Sequence, residues 1–287
     1  MMKEASLPAT APVWREVVPG EPLVIFRDVH IAFDEGEILR GISFSVLPGE
    51  TKVLLGVSGA GKTVLMKLAA GLLRPDAGAI QVMGHDVAQM SERDLLDFRR
   101  HIGFVFQEGA LFDSMTVGDN VGFRLNEDHL PEEEVLKRTQ EALRFVELED
   151  TYEKLPSELS GGMRRRVSIA RALIDHPALL FCDSPTAGLD PVTSQTIINL
   201  IMRGRDLQGV TTILATHRVQ DAFGLANYRF DSSKGSVVPA RNGAGAAAMP
   251  PTSILVLRDG KIYFEGPANR VLETQDEYLK RFLSSAE

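Results

Sequence analysis

The residues best suited to chemistry form a glycine-rich run, GVSGAGKT, from Gly56 to Thr63. The spacing G-x-x-x-x-G-K-[ST] lets a tight loop turn successive backbone N–H groups toward one point. Gly56, Ser58, Gly59, Ala60 and Gly61 can thus surround phosphate oxygens. Lys62 adds a cation that reaches the β and γ phosphates, and the Thr63 hydroxyl suits Mg²⁺. Val64 follows immediately and belongs to the same candidate set. Such a loop works between a strand and a helix, because a helix N-terminus adds positive potential at the anion. The apolar run TKVLLG precedes it, and Leu65, Leu68, Ala69 and Leu72 recur behind it at helical spacing. The implied ligands are a nucleoside triphosphate and Mg²⁺.

Downstream strings add anion and metal chemistry. ELSGGM, from Glu158 to Met163, precedes the helical pattern RRRVSIARAL, so Ser160, Gly161 and Gly162 can form a nest of amides at a helix start. The apolar run ALLFC places Asp183 at the end of a buried strand, where its carboxylate can hold Mg²⁺ directly or through water.

The elements that must position these residues read as an α/β chain. LVIFRDVHIAF alternates as a strand, and GISFSV and TKVLLG continue a β-rich entry. Between Glu132 and Leu148, Val135, Leu136, Thr139, Ala142, Leu143 and Val146 form a helical stripe opened by Pro131 in the first turn. ALLFC and TTILAT have the short, turn-bounded form of buried parallel strands, which assemble into a doubly wound sheet. Residues 1–21, with Trp14, read as a loose, flexible extension before a single domain over 22–287. The Gly-, Ala-, Ser- and Pro-rich segment 231–253 reads as a mobile surface insertion, with partner binding as the other reading.

Totals exclude several roles. A net charge of −8 over 287 residues disfavours nucleic acid as a partner. No apolar run is long enough to span a bilayer, and the first residues lack a secretory pattern, which predicts a cytoplasmic location. Cys182 is the single cysteine and sits in an apolar run, as an inert buried thiol would.

The order GVSGAGKT, ELSGGM, FCDSPTAGLD resembles the ATP-binding cassette family from about Leu23 to the C-terminus, apart from the insertion. The resemblance implies a P-loop NTPase (RecA-like) core, a β-rich N-terminal subdomain and an inserted α-helical subdomain over approximately 108–171. It also implies a homodimer in which Ser160, Gly161 and Gly162 bind the γ phosphate held by the opposite copy. Asp183 resembles the Walker B aspartate, Asp190 the D-loop residue at the dimer interface, and His217 the switch histidine at the γ phosphate. Gln107 resembles the glutamine that senses Mg²⁺, joining Thr63 and Asp183 at the metal, and Phe33 stands where an adenine-stacking aromatic is expected, with a core position as its alternative. GKTVLMKLAAGLLRP, GALFDSMTVGDNVGF and EYLKRFL look like the ATPase subunits of Mla and Mce lipid transport systems, through Val64, Phe112 to Thr116 and Met163. Implied with that are phospholipid or lipid transport, a place on the cytoplasmic face of the inner membrane, an integral-membrane lipid permease and an Mce-type substrate-binding protein, with an ABC transporter for another substrate as the alternative.

One position departs from the family pattern: Ser184 stands where such ATPases carry the catalytic glutamate. A base of that kind contributes a factor of roughly 10² to 10⁴, or about 3–5 kcal/mol of barrier. A serine hydroxyl can orient water but cannot accept its proton at neutral pH. Another group substitutes, or hydrolysis is slow, or the chain is an ATP-gated clamp; Glu108 is the first carboxylate to consider as a substitute, although an exposed loop charge is the favoured reading of it.

Overall fold

The computed structural model describes residues 20–34, 36–240 and 252–284. The extension expected over 1–21, including Trp14, lies almost wholly outside them. In chain order, β1 (Val24–Phe33), β2 (Gly36–Val46) and β3 (Thr51–Leu55) lead into α1 (Lys62–Ala69). They are followed by β4 (Ala77–Val82), β5 (His85–Asp86), α2 (Glu92–Arg99) and β6 (Ile102–Val105). Three helices then form the helical unit: α3 (Val117–Glu127), α4 (Glu132–Phe145) and α5 (Gly161–Leu173). The chain re-enters the core through β7 (Leu179–Asp183), α6 (Pro191–Gln208), β8 (Thr211–Thr216) and α7 (Val219–Asn227). It closes with β9 (Tyr228–Asp231), β10 (Ser236–Pro239), β11 (Thr252–Arg258), β12 (Lys261–Pro267), α8 (Ala268–Leu272) and α9 (Glu277–Ser284).

The central sheet has the order β12-β11-β3-β8-β7-β6, parallel except for antiparallel β12. Both faces are covered, which is why its strands read as unbroken apolar runs. On β7, Leu180 and Cys182 face the core under the helices, whereas Leu179 and Phe181 face a second core beneath the antiparallel sheet β2-β1-β4-β5 and α1. Val53 and Leu55 against Leu54 on β3 show the same two-residue period.

Local chemistry sets the helix ends. Thr116 and Asp119 form a capping box on α3, and Asp190 caps α6 ahead of Pro191. Three expectations shift. Pro131 is the N-cap of α4, one residue before the first turn. Leu72 lies beyond the end of α1 and is exposed, as is Leu136 on α4, so neither joins the buried stripe. The segment expected to be structureless from Asp231 begins instead as the antiparallel hairpin β9–β10. Its support comes from α6: the Asp206 carboxylate accepts Phe230 N–H at 2.7 Å, and the Arg203 guanidinium lies over the Phe230 ring at 5.2 Å.

Candidate functional site

The glycine loop crosses from β3 to α1 at the C-terminal edge of the parallel strands, the usual location of ligand sites in such sheets. Gly61 is left-handed, with φ 96°, and a Cβ there would lie 2.6 Å from Leu39 Cδ2. A Cβ on Gly56 would lie 2.7 Å from the Leu257 carbonyl oxygen. α1 begins at Lys62 without a side-chain cap, which leaves its first amides for a ligand. Lys62 Nζ donates to the carbonyls of Gly56 and Val57, both at 2.8 Å. Burial pulls this ammonium below its ordinary pKa, opposed by the Asp183 carboxylate.

Thr63 Oγ1 donates to Asp183 Oδ2 at 2.8 Å, across 120 residues of sequence. A hydroxyl and one carboxylate are hard oxygen donors that fit Mg²⁺, an ion that normally keeps water and phosphate oxygens as further ligands. Among the described residues no cluster of three or more His, Cys, Asp or Glu forms an all-protein cage, which agrees with that donor set. Ser184 follows with φ 47°; its N–H donates to the Ala215 carbonyl at 2.8 Å, and its hydroxyl reaches Asp183 Oδ1 at 3.4 Å.

These groups line one open cleft of about 620 Å³. Ser58, Gly59, Gly61, Lys62, Thr63 and Val64 form its floor, while Gln107, Ser184 and His217 enter from beyond the ends of β6, β7 and β8. Phe33 is 46% exposed on the wall, so it is not a core residue. Gly56 and Ala60 are buried in the loop, and Asp183 lies beneath Thr63. Ser160, Gly161, Gly162 and Asp190 do not line this cleft. Ser160 caps α5 by accepting Met163 N–H at 3.2 Å. Asp190 accepts Val192 and Thr193 N–H, each at 3.0 Å, and the Thr193 hydroxyl, whose bond is the main reason its carboxyl is held below the ordinary range. Ser160, Gly161, Asp190 and Val192 are all exposed.

Sequence reasoning missed Ile38, Val57, Ala187 and Phe282 on the cleft wall. The apolar spacing of Tyr278, Leu279 and Phe282 signals a helix with a buried face, but nothing local says that α9 docks beside the nucleotide loop. Glu108, a candidate substitute base with an exposed loop charge as the favoured alternative, is exposed and does not line the cleft.

A second groove of about 320 Å³ runs between the core and the helical unit, with Phe104, Phe106, Phe112, Phe123 and Arg171 on its walls. Phe112 is 44% exposed and tilted on Phe123 at 4.9 Å. Its loop is held by buried Asn120, which accepts Phe112 N–H at 2.8 Å and donates to the carbonyls of Phe112, Met115 and Thr116.

Residues 39–187 match the family model described as ABC transporter. The intermembrane phospholipid transport system ATP-binding protein MlaF of Haemophilus influenzae is 32% identical over 88% of both chains. The methionine import ATP-binding protein MetN of Carboxydothermus hydrogenoformans is 37% identical over 69% of this chain and 60% of its own length, so the chain spans less than two thirds of that relative. The dimeric, ADP- and phosphate-bound ATP-binding cassette MJ0796 superposes with a TM-score of 0.72 at 27% identity, covering 85% of this chain and 98% of that one. CbiO1 from Clostridium perfringens, part of the ABC transporter complex cbiONQ, gives 0.73 at 26% identity, covering 91% and 94%. With its P-loop between β3 and α1, its inserted helices and matches along most of its length, the chain belongs to the ABC transporter family and has the fold of its ATP-binding cassettes.

Proposed function

We propose that this chain is the ATP-binding subunit of a bacterial inner-membrane complex that moves phospholipids between membranes, working as a homodimer on the cytoplasmic face. The observation that carries the lipid reading is the MlaF alignment, which runs along 88% of both chains, whereas the MetN alignment stops at 60% of that relative. The higher MetN identity, 37%, favours a second reading in which the cargo is another small molecule. Among the described residues no helix is long and apolar enough to cross a membrane; a membrane permease is the partner that this reading calls for. The groove beside Phe112 offers aromatic walls to a permease helix, and an Mce-type protein is the expected carrier of lipid beyond it.

The glycine-loop amides and Lys62 bind the triphosphate, and Phe33 stacks on the base. Thr63 and Asp183, with Gln107 on the same cleft, would hold Mg²⁺, which would supply positive charge for a transferring phosphoryl group. His217 orients on the γ phosphate, while Ser160, Gly161, Gly162 and Asp190 serve the nucleotide of the second copy. Ser184 positions water without accepting its proton, so hydrolysis is slow. The test is lipid analysis of the purified membrane complex together with ATP-driven lipid transfer between vesicles, using Lys62→Ala as the control. Loss of ATP binding and of transfer in Lys62→Ala is expected. Co-purification of no phospholipid and ATPase stimulation by an amino acid instead would overturn the lipid reading.

A further inference from the structure

Asp221, in the first turn of α7, is 3% exposed and lies off the cleft wall. Its Oδ2 accepts the Thr186 hydroxyl at 2.6 Å and the Thr216 hydroxyl at 2.9 Å. Thr186 lies two residues past Ser184, and Thr216 immediately precedes His217. One carboxylate oxygen thus ties together the two turns that bring Ser184 and His217 into the cleft. Arg218 extends the tie: its Nε lies 3.8 Å from Asp221 Oδ1, and its guanidinium donates to Ser194 Oγ at 2.7 Å. Ser194 in turn donates through its hydroxyl to the Leu189 carbonyl at 3.4 Å and through its N–H to the Asp190 carbonyl at 2.9 Å. The network therefore ends at the N-terminal end of α6, at exposed Asp190 and Val192.

Stability does not account for a charge at this place. Burial raises the Asp221 pKa above its ordinary value, despite two hydroxyl donors and the nearby Arg218 and His217. A carboxyl whose folded-state pKa lies above its unfolded value favours folding fully only below that unfolded value. The contribution is lost as pH rises through the folded value. Burial thus favours the neutral form of this carboxyl in the fold, and asparagine keeps an acceptor for the two hydroxyls.

We propose that Asp221 is a positioning residue: with Thr186, Thr216, Arg218 and Ser194 it holds the Ser184 turn, the His217 turn and the Asp190 end of α6 as one unit, so that nucleotide engaged at the first two sets the Asp190 face for closure on a second copy. This rests on the reading that the cleft binds ATP and that the Asp190 face meets the second copy. It differs from a packing role because it acts on closure and not on folding or on the first binding step.

The experiment uses MgATP as the probe and measures three quantities on the full chain: nucleotide affinity by fluorescence titration, self-association by sedimentation, and thermal stability near neutral pH. For Asp221→Asn the expected result is affinity within about twofold of the parent, ATP-driven association weakened about tenfold or more, and a Tm no lower than the parent's. Arg218→Met, which leaves the two threonine bonds to Asp221 intact but cuts the path to Ser194, should weaken association in the same way, and Asp221→Glu should recover part of it. Unchanged association in folded Asp221→Asn, or a loss matched by a fall in folded fraction, overturns the proposal. If Asp221→Asn fails to fold, Arg218→Met decides alone: weakened association supports the network and normal association removes it. A parent chain that binds no MgATP, or binds it without associating, would overturn the functional reading and this proposal together, whereas normal parent behaviour with indifferent variants overturns only the latter.

Discussion

Replacing Ser184 with glutamate isolates the chemical step. Position 184 already holds a non-glycine residue at φ 47°, so a longer unbranched side chain adds little backbone strain there. The bond from its N–H to the Ala215 carbonyl is independent of side chain. Among the described residues no carboxylate lines the cleft, and the Asp183 oxygen nearest the loop is engaged by Thr63 at 2.8 Å. A glutamate would therefore supply a base where none now reaches water, raising kcat by roughly 10² to 10⁴, equivalent to about 3–5 kcal/mol of barrier. KM for ATP should hold nearly constant, because Lys62, Thr63 and the loop amides are untouched. Steady-state phosphate release by the assembled complex, with kcat and KM determined separately, measures both. A folded Ser184→Glu variant whose kcat rises less than about tenfold would refute the reasoning, since a missing base is worth more than that.

Phe112→Asp should detach the permease while sparing ATP affinity. The exposed 44% of this ring is about 65–110 Å² of a typical aromatic surface, worth about 1.6–2.8 kcal/mol when buried. Pull-down with the co-expressed permease and a melting curve on the same preparation check this, and normal capture by a folded variant would reject the docking face. Arg205→Met should destabilise the fold by about 3–5 kcal/mol in chemical denaturation, because it leaves Asp206 and the carbonyls of Leu225 and Tyr228 without the guanidinium that now bonds them. A loss under about 1 kcal/mol would show that the hairpin and α6 do not depend on that tie.

The most legible parts of the molecule were those whose partners lie within a few residues. GVSGAGKT specifies its own loop, because the strand before it, the helix after it and the left-handed Gly61 are covalent neighbours. Strand alternation on β1 and the unbroken runs of β7 and β8 likewise announced one-sided and two-sided burial. The stripe on α4 is one step narrower than its periodicity predicts, since spacing places Leu136 near the buried side without saying how far the neighbouring helices reach. Hairpin β9–β10 was missed for a related reason. Its sequence resembles a loop, and the groups that hold it belong to Arg203, Arg205 and Asp206 on α6.

The triphosphate loop, the α/β class and the helical stripe of α4 came from sequence alone, because each is encoded by residue types at short spacing; the inserted helical unit and the departure at Ser184 were legible only through the family resemblance. Only the tertiary structure decided that Thr63 bonds to Asp183, that Phe282 shares a cleft with Phe33, and that Asp221 joins the turns of Thr186 and Thr216. Those pairings depend on which strands lie side by side and on how both faces of the sheet are covered, and the free energy that selects them is spread over the whole core instead of residing in any local run of residues.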